Sequence, residues 1–164
     1  MHLPQLALDA EARHRRALQA FDDESPWALT DGPQQRRVHA ANATARAQGV
    51  HAGQAVASAQ LLCPGLALAA HQPLRDAALR EWLAAYAYGF SAEVSLREPD
   101  TVLFEAGRSL GLFGPWPRWQ QRLRDELAGC GVQVRIACAP TPLAARGLAR
   151  AHDGLAVADA TQLQ

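Results

Sequence analysis

The side chains best suited to chemistry in this chain are a short run of acids, Glu98, Asp100 and Glu105, and three arginines, Arg36, Arg37 and Arg46. Two carboxylates facing one cavity can hold divalent metals, and a guanidinium fork suits phosphate oxygens. On a hairpin, however, alternate residues face opposite sides, so Glu98 and Glu105 need not converge. They are weak metal candidates, and solvated turn and strand-edge acids are the plainer expectation. Asp9 stands alone near the start and is expected to cap the helix that follows. The six histidines form no His-x-x-x-His pair, and there is no Gly-x-x-x-x-Gly-Lys loop, Gly-x-Gly-x-x-Gly fingerprint or Gly-x-Ser-x-Gly elbow. A P-loop, dinucleotide-binding or α/β-hydrolase enzyme therefore finds no support.

The elements that must position these residues are legible from periodicity. An apolar stretch from His2 to Leu8 predicts a strand, and Glu11 to Phe21 a helix closed by Asp22-Asp23-Glu24-Ser25-Pro26. Trp27–Thr30 and Arg36–Ala41 read as strands around the Asp31-Gly32-Pro33 turn. Two small helices flank Gly49-Val50, and Leu66–Ala70 reads as a further strand. Leu79, Trp82, Leu83, Tyr86 and Phe90 line one face of a helix. Ala92–Leu96 and Thr101–Glu105 read as antiparallel strands. Pro117–Cys130 is helical with Trp119, Leu123 and Leu127 on one face, Gln133–Cys138 a strand, and Thr141–Ala151 a helix capped by Thr141.

Without residues 10–70 the order is strand, helix, strand, strand, helix, strand. This predicts an α/β (α+β) fold, a ferredoxin-like βαββαβ arrangement with a small insertion after the first strand. A chain of 164 residues with 49% hydrophobic content suits a globular protein. Its 16 cationic side chains are all arginine and match 16 acids, so any nucleic-acid affinity must come from local patches. Cys63, Cys130 and Cys138 lack a Cys-x-x-Cys pair and read as reduced core residues. With no signal-like start and no membrane-length apolar run, a cytoplasmic protein without membrane contact is expected.

Four segments in order, His2–Ala10, Pro26–Leu66, Val94–Glu105 and Val134–Arg150, resemble the palm and fingers of Y-family, translesion-type DNA polymerases. The phrases Leu3-Pro4-Gln5-Leu6-Ala7-Leu8-Asp9, Asp31-Gly32-Pro33, Ser109-Leu110-Gly111-Leu112-Phe113-Gly114 and Ala139-Pro140-Thr141-Pro142-Leu143-Ala144-Ala145 look like its ImuB subgroup. The resemblance implies a palm over 1–9 and 71–164 and a fingers-like subdomain over 10–70, with thumb and little finger absent from this chain.

The same resemblance implies that the usual catalytic positions are degenerate. Pro4 stands where the first metal-binding aspartate is expected. In Ser95-Leu96-Arg97-Glu98, Arg97 replaces a second aspartate and only Glu98 keeps a carboxylate, so an Arg97–Glu98 ion pair is expected in place of metals. Of the triphosphate contacts, the tyrosine position is Ala43, Arg46 remains, the lysine position is Pro142, and Arg146 retains some charge nearby. No cofactor is expected. The implied function is that of a non-catalytic adaptor in translesion synthesis and damage-induced mutagenesis, with DNA, ImuA, the sliding clamp and an error-prone C-family polymerase as partners. The alternatives are an active nucleotidyltransferase using Mg²⁺ held by Glu98, Glu105 and a displaced Asp9, or a simple DNA-binding module using Arg36, Arg37 and Arg46.

Overall fold

The computed structural model describes residues 1–18, 22, 24–32, 34 and 36–157. The chain forms two compact units, one of Met1–Leu6 with Ala78–Gln164 and one of Ala7–Ala77. The expected helix end at Phe21, and Asp23 and Pro33 of the two expected turns, lie outside the described residues.

The second unit is a three-stranded sheet with helices on both faces. Strand β1 (Trp27–Thr30) is central, antiparallel to β2 (Val38–Ala41) and parallel to β3 (Ala67–Ala70). Successive side chains of a strand point to opposite faces. Trp27 and Leu29 accordingly pack with Leu8 and Ala12 of helix α1 (Leu6–Ala17). Ala28 joins Val38, Ala41, Val50 and Leu66 against Ala45 of α2 (Ala43–Ala47) and Ala59 of α3 (Val56–Leu62). Between α2 and α3, Gly49 has φ +87°, a conformation that other residues adopt only with strain. Asn42 fixes the entry to α2: its side-chain oxygen accepts the amides of Ala45 at 2.9 Å and Trp27 at 3.1 Å, and its side-chain nitrogen donates to the Ser25 carbonyl at 2.9 Å.

In the first unit, His2 is bridged antiparallel to both Thr101 and Arg135. Thr101 leads into β5 (Leu103–Phe104), which pairs antiparallel with β4 (Val94–Ser95). The lateral sequence is therefore last, first, third and second pairing segment, the order of a ferredoxin-like sheet. Helices α4 (Pro73–Tyr88), α5 (Leu110–Phe113), α6 (Trp116–Gly129) and α7 (Pro142–Ala151) complete the chain. Trp119, Leu123 and Leu127 of α6 are buried on one face as expected. Trp119 stacks on Phe113 at 5.3 Å and meets Phe90, Phe104 and Trp116. Thr141 caps α7 by accepting the Ala144 amide at 3.3 Å.

Three expectations are corrected. The strand foreseen over His2–Leu8 stops after Leu3, and α1 begins at Leu6. Pro4 has no N–H to give a ladder, whereas Leu6–Ala12 is rich in good helix formers. Asp9 is therefore inside the first turn of α1 and buried, and does not cap it. The strand foreseen over Gln133–Cys138 survives as single pairings of Arg135 with His2 and Cys138 with Ala156. Between them the Ile136 amide turns to the carboxylate of Asp153, 2.8 Å away, so it is lost to any ladder.

Candidate nucleic-acid and nucleotide site

Glu98 lies in the turn between β4 and β5. Two helices hold that turn. Arg80 of α4 donates through Nη2 to the carbonyls of Leu96 at 2.5 Å and Glu98 at 2.8 Å. Arg146 of α7 forms an ion pair with the Glu98 carboxylate, both side chains being less than one-third exposed. This corrects the expected Arg97–Glu98 pair. Arg97 is exposed, its amide donating to Ser95 Oγ at 3.4 Å, while the guanidinium that answers Glu98 comes from a different helix.

The next acid belongs to other partners. Asp100 accepts both 2.9 and 2.7 Å bonds from Arg150 of α7, and Thr101 Oγ1 donates to it at 3.0 Å. Burial raises its carboxyl pKa, but the bonds from Arg150 and Thr101 outweigh this and leave it below the ordinary value. Glu105 accepts the amide of Arg108 at 3.2 and 3.3 Å, closing the 3₁₀ turn Gly107–Ser109 that follows. A Cβ on Gly107 would come within 2.9 Å of that carboxylate, a contact that the Glu105 side chain would have to move to relieve. The Arg108 guanidinium reaches Glu93 at 2.8 Å. Pro4 is exposed in the turn that opens α1.

Among the described residues, no three His, Cys, Asp or Glu side chains are gathered as a metal-ligand set. Asp9 belongs to the other unit from Glu98 and Glu105.

Two arginines of the second unit, Arg37 and Arg46, are tied to its main-chain carbonyls. Arg46 donates to the Ala41 carbonyl at 2.6 Å, closing the end of β2 onto α2. Arg37 donates to the Gly53 carbonyl at 2.7 Å, and its amide is held by Asp31 at 2.9 Å. Arg36 is exposed. Arg15 and Arg75 both bind the buried carboxylate of Glu11, and Arg15 also lies 5.2 Å over the Trp27 ring.

The sequence reading missed Arg80 and Asn42. Asn42 carried a signal, standing immediately before an alanine-rich helix where a cap is favoured. Arg80 carried none, since its acceptors are main-chain carbonyls of a distant turn.

The impB/mucB/samB family model matches residues 8–150. The fold is similar to the post-insertion binary complex of Dbh DNA polymerase (TM-score 0.76, 16% identity, 99% of this chain and 48% of that one). It is similar also to DinB from Sulfolobus solfataricus (TM-score 0.68, 16% identity, 91% and 46%). A Y-family DNA polymerase chimera, Dbh-Dpo4(243-245)-Dbh, matches with TM-score 0.69, 14% identity, and coverage of 94% and 46%. The chain spans less than half the length of each of these solved chains. No curated protein matches it. Among the described residues, no helix is long and apolar enough to cross a membrane.

Proposed function

Because the chain belongs to the impB/mucB/samB family, we propose that it is the palm-and-fingers part of a Y-family polymerase homologue that serves DNA damage bypass without transferring nucleotides itself. The observation that carries this reading is the ion pair between Glu98 and Arg146, with Arg97 exposed beside it. Nucleotidyl transfer needs two divalent ions about 3.5–4 Å apart, held by carboxylates. Here one acid of the hairpin is neutralised by a guanidinium, the adjoining residue is itself a cation, and Pro4 offers no ligand. The donor set does not fit a two-metal centre.

The role that remains is that of an adaptor in translesion synthesis and damage-induced mutagenesis. On this reading the whole protein, in the manner of the ImuB subgroup, engages DNA, ImuA, the sliding clamp and an error-prone C-family polymerase. Palm and fingers supply a polymerase-shaped platform. Arg80, Arg108, Arg122, Arg124, Arg146 and Arg150 are engaged within the fold and add little spare positive charge, whereas Arg36 and Arg97 are exposed.

The deciding experiment is primer extension by the full-length protein with Mg²⁺ or Mn²⁺. No incorporation above background is expected. Incorporation that Glu98→Ala or Glu105→Ala abolishes would overturn the non-catalytic reading and establish an active nucleotidyltransferase.

A further inference from the structure

His39 lies in β2 beside the register shift of the β1–β2 pair, and His71 follows directly after β3. Their rings stack with centroids 3.9 Å apart and planes 8° from parallel. Since β2 and β3 flank β1 on opposite sides, the stack joins the two outer strands across the end of the central one. The His71 amide donates to the Thr30 carbonyl at 2.9 Å, so the backbone under one ring is anchored to that same strand end. Nε2 of His71 lies 2.7 Å from Oδ2 of Asp76, in the first turn of α4. Oδ1 of Asp76 is buried without a hydrogen-bond partner.

We propose that the stacked pair His39–His71 is a pH-sensitive latch of this sheet, closed while the rings are not both charged and loosened once both are protonated. Histidine is the side chain whose charge changes near neutral pH, and two imidazolium rings face to face at this spacing repel. The Asp76 carboxylate lies within hydrogen-bond distance of His71 as a counter-ion, whereas a proton on His39 meets the stacked ring and strains the stack. The His39 ring is on an exposed residue and open to that proton.

Among the described residues, the charges around the pair are few. Partial burial of its ring lowers the His39 pKa and the neighbouring His71 lowers it further, while Asp76 on α4 and Asp31 in the β1–β2 turn act in the opposite direction. Arg37, just before β2, is bonded to Gly53, and Arg75 of α4 to Glu11. The net result is a His39 below the ordinary 6.5. An unfolded chain thus takes up a proton that the native sheet resists, and stability falls as pH drops through that range.

The test uses the full chain, following the histidine Cε1–H signals by NMR and thermal unfolding between about pH 8 and 5. His39 is expected to titrate below 6.5, and its midpoint to rise toward 6.5 in His71→Gln. The fall in Tm with acid should be smaller in His39→Gln than in the wild type. A wild-type His39 midpoint at or above 6.5, or one that His71→Gln leaves unmoved, overturns the proposal. Should either variant fail to fold, the wild-type midpoint decides alone.

Discussion

Arg124 of α6 grips Asp153, just beyond α7, through two hydrogen bonds, Nη2 to Oδ1 at 2.6 Å and Nε to Oδ2 at 3.1 Å. The same Oδ1 accepts the Ile136 amide, so one carboxylate ties the end of the last helix to α6 and to the segment before α7. Asp153→Ala leaves that amide without its acceptor and Arg124 without its charge partner. Losing such a partner costs about 1–3 kcal/mol. The expected outcome is a lower urea midpoint with an unchanged slope, and faster hydrogen exchange at the Ile136 amide.

Acid should act through this carboxylate and Asp100. In Asp153, burial raises the pKa, but the bonds from Arg124, Ile136 and Gly154 prevail and place it below the ordinary 3.8. Asp100 is shifted in the same direction, with Arg150 and Thr101 outweighing burial. Both depressed acids contribute stability that is fully present well above 3.8 and disappears as pH falls through their lower folded values. Thermal unfolding from about pH 5 to 2 should therefore steepen at the acid end, and Asp153→Asn should flatten it. An identical profile in the variant would refute the assignment.

Asn42 is a polar side chain of the second unit whose loss should be costly. Its amide oxygen serves two main-chain donors, at the start of β1 and the start of α2, and the residue is buried. Removing a cap costs about 1 kcal/mol, and a second buried donor left unpaired adds about 1–3 kcal/mol. Asn42→Ala should lower stability accordingly, whereas Asn42→Asp, which keeps the acceptor, should retain most of it. Chemical denaturation of the three proteins checks the order.

DNA affinity in this chain should be weak and carried by few phosphate contacts. If Arg36, Arg37 and Arg46 provide them, the logarithm of the binding constant should fall with the logarithm of salt with a slope no steeper than about −3. The triple replacement by alanine should abolish that dependence. Affinity for primer-template DNA that survives both the replacement and high salt would locate the contacts elsewhere.

Much of the framework was legible because it is local. The three-and-four spacing of Trp119, Leu123 and Leu127 announced a helix face, and Thr141 before Pro142 announced a helix start. What depends on distant partners was not legible. The His2–Leu8 stretch is apolar enough for a strand, yet Pro4 breaks the ladder and the following residues prefer a helix. Glu98 stood out as the remaining hairpin carboxylate, but its neighbour Arg97 was the natural candidate for its ion pair. Only the folded chain brings Arg146 to it. Likewise nothing in the spacing of His39 and His71 hints that their rings lie face to face.

The parallel pairing of β1 with β3 bears on how the second unit assembles. β1 and β2 are joined by a short connection and can pair early, but β3 can join only after the intervening chain, with α2 and α3, has closed a much longer loop. The hairpin is thus expected to act as the nucleus, with β3 arriving last. Pulse-labelling hydrogen exchange during refolding should find the hairpin-bonded amides of β1 and β2 protected before those of Ala67 and His71, which bond to Pro26 and Thr30. Until that final strand docks, the side of β1 that it covers offers unpaired backbone groups to any other extended chain, which makes slow refolding at high concentration the point at which this unit is most prone to aggregate.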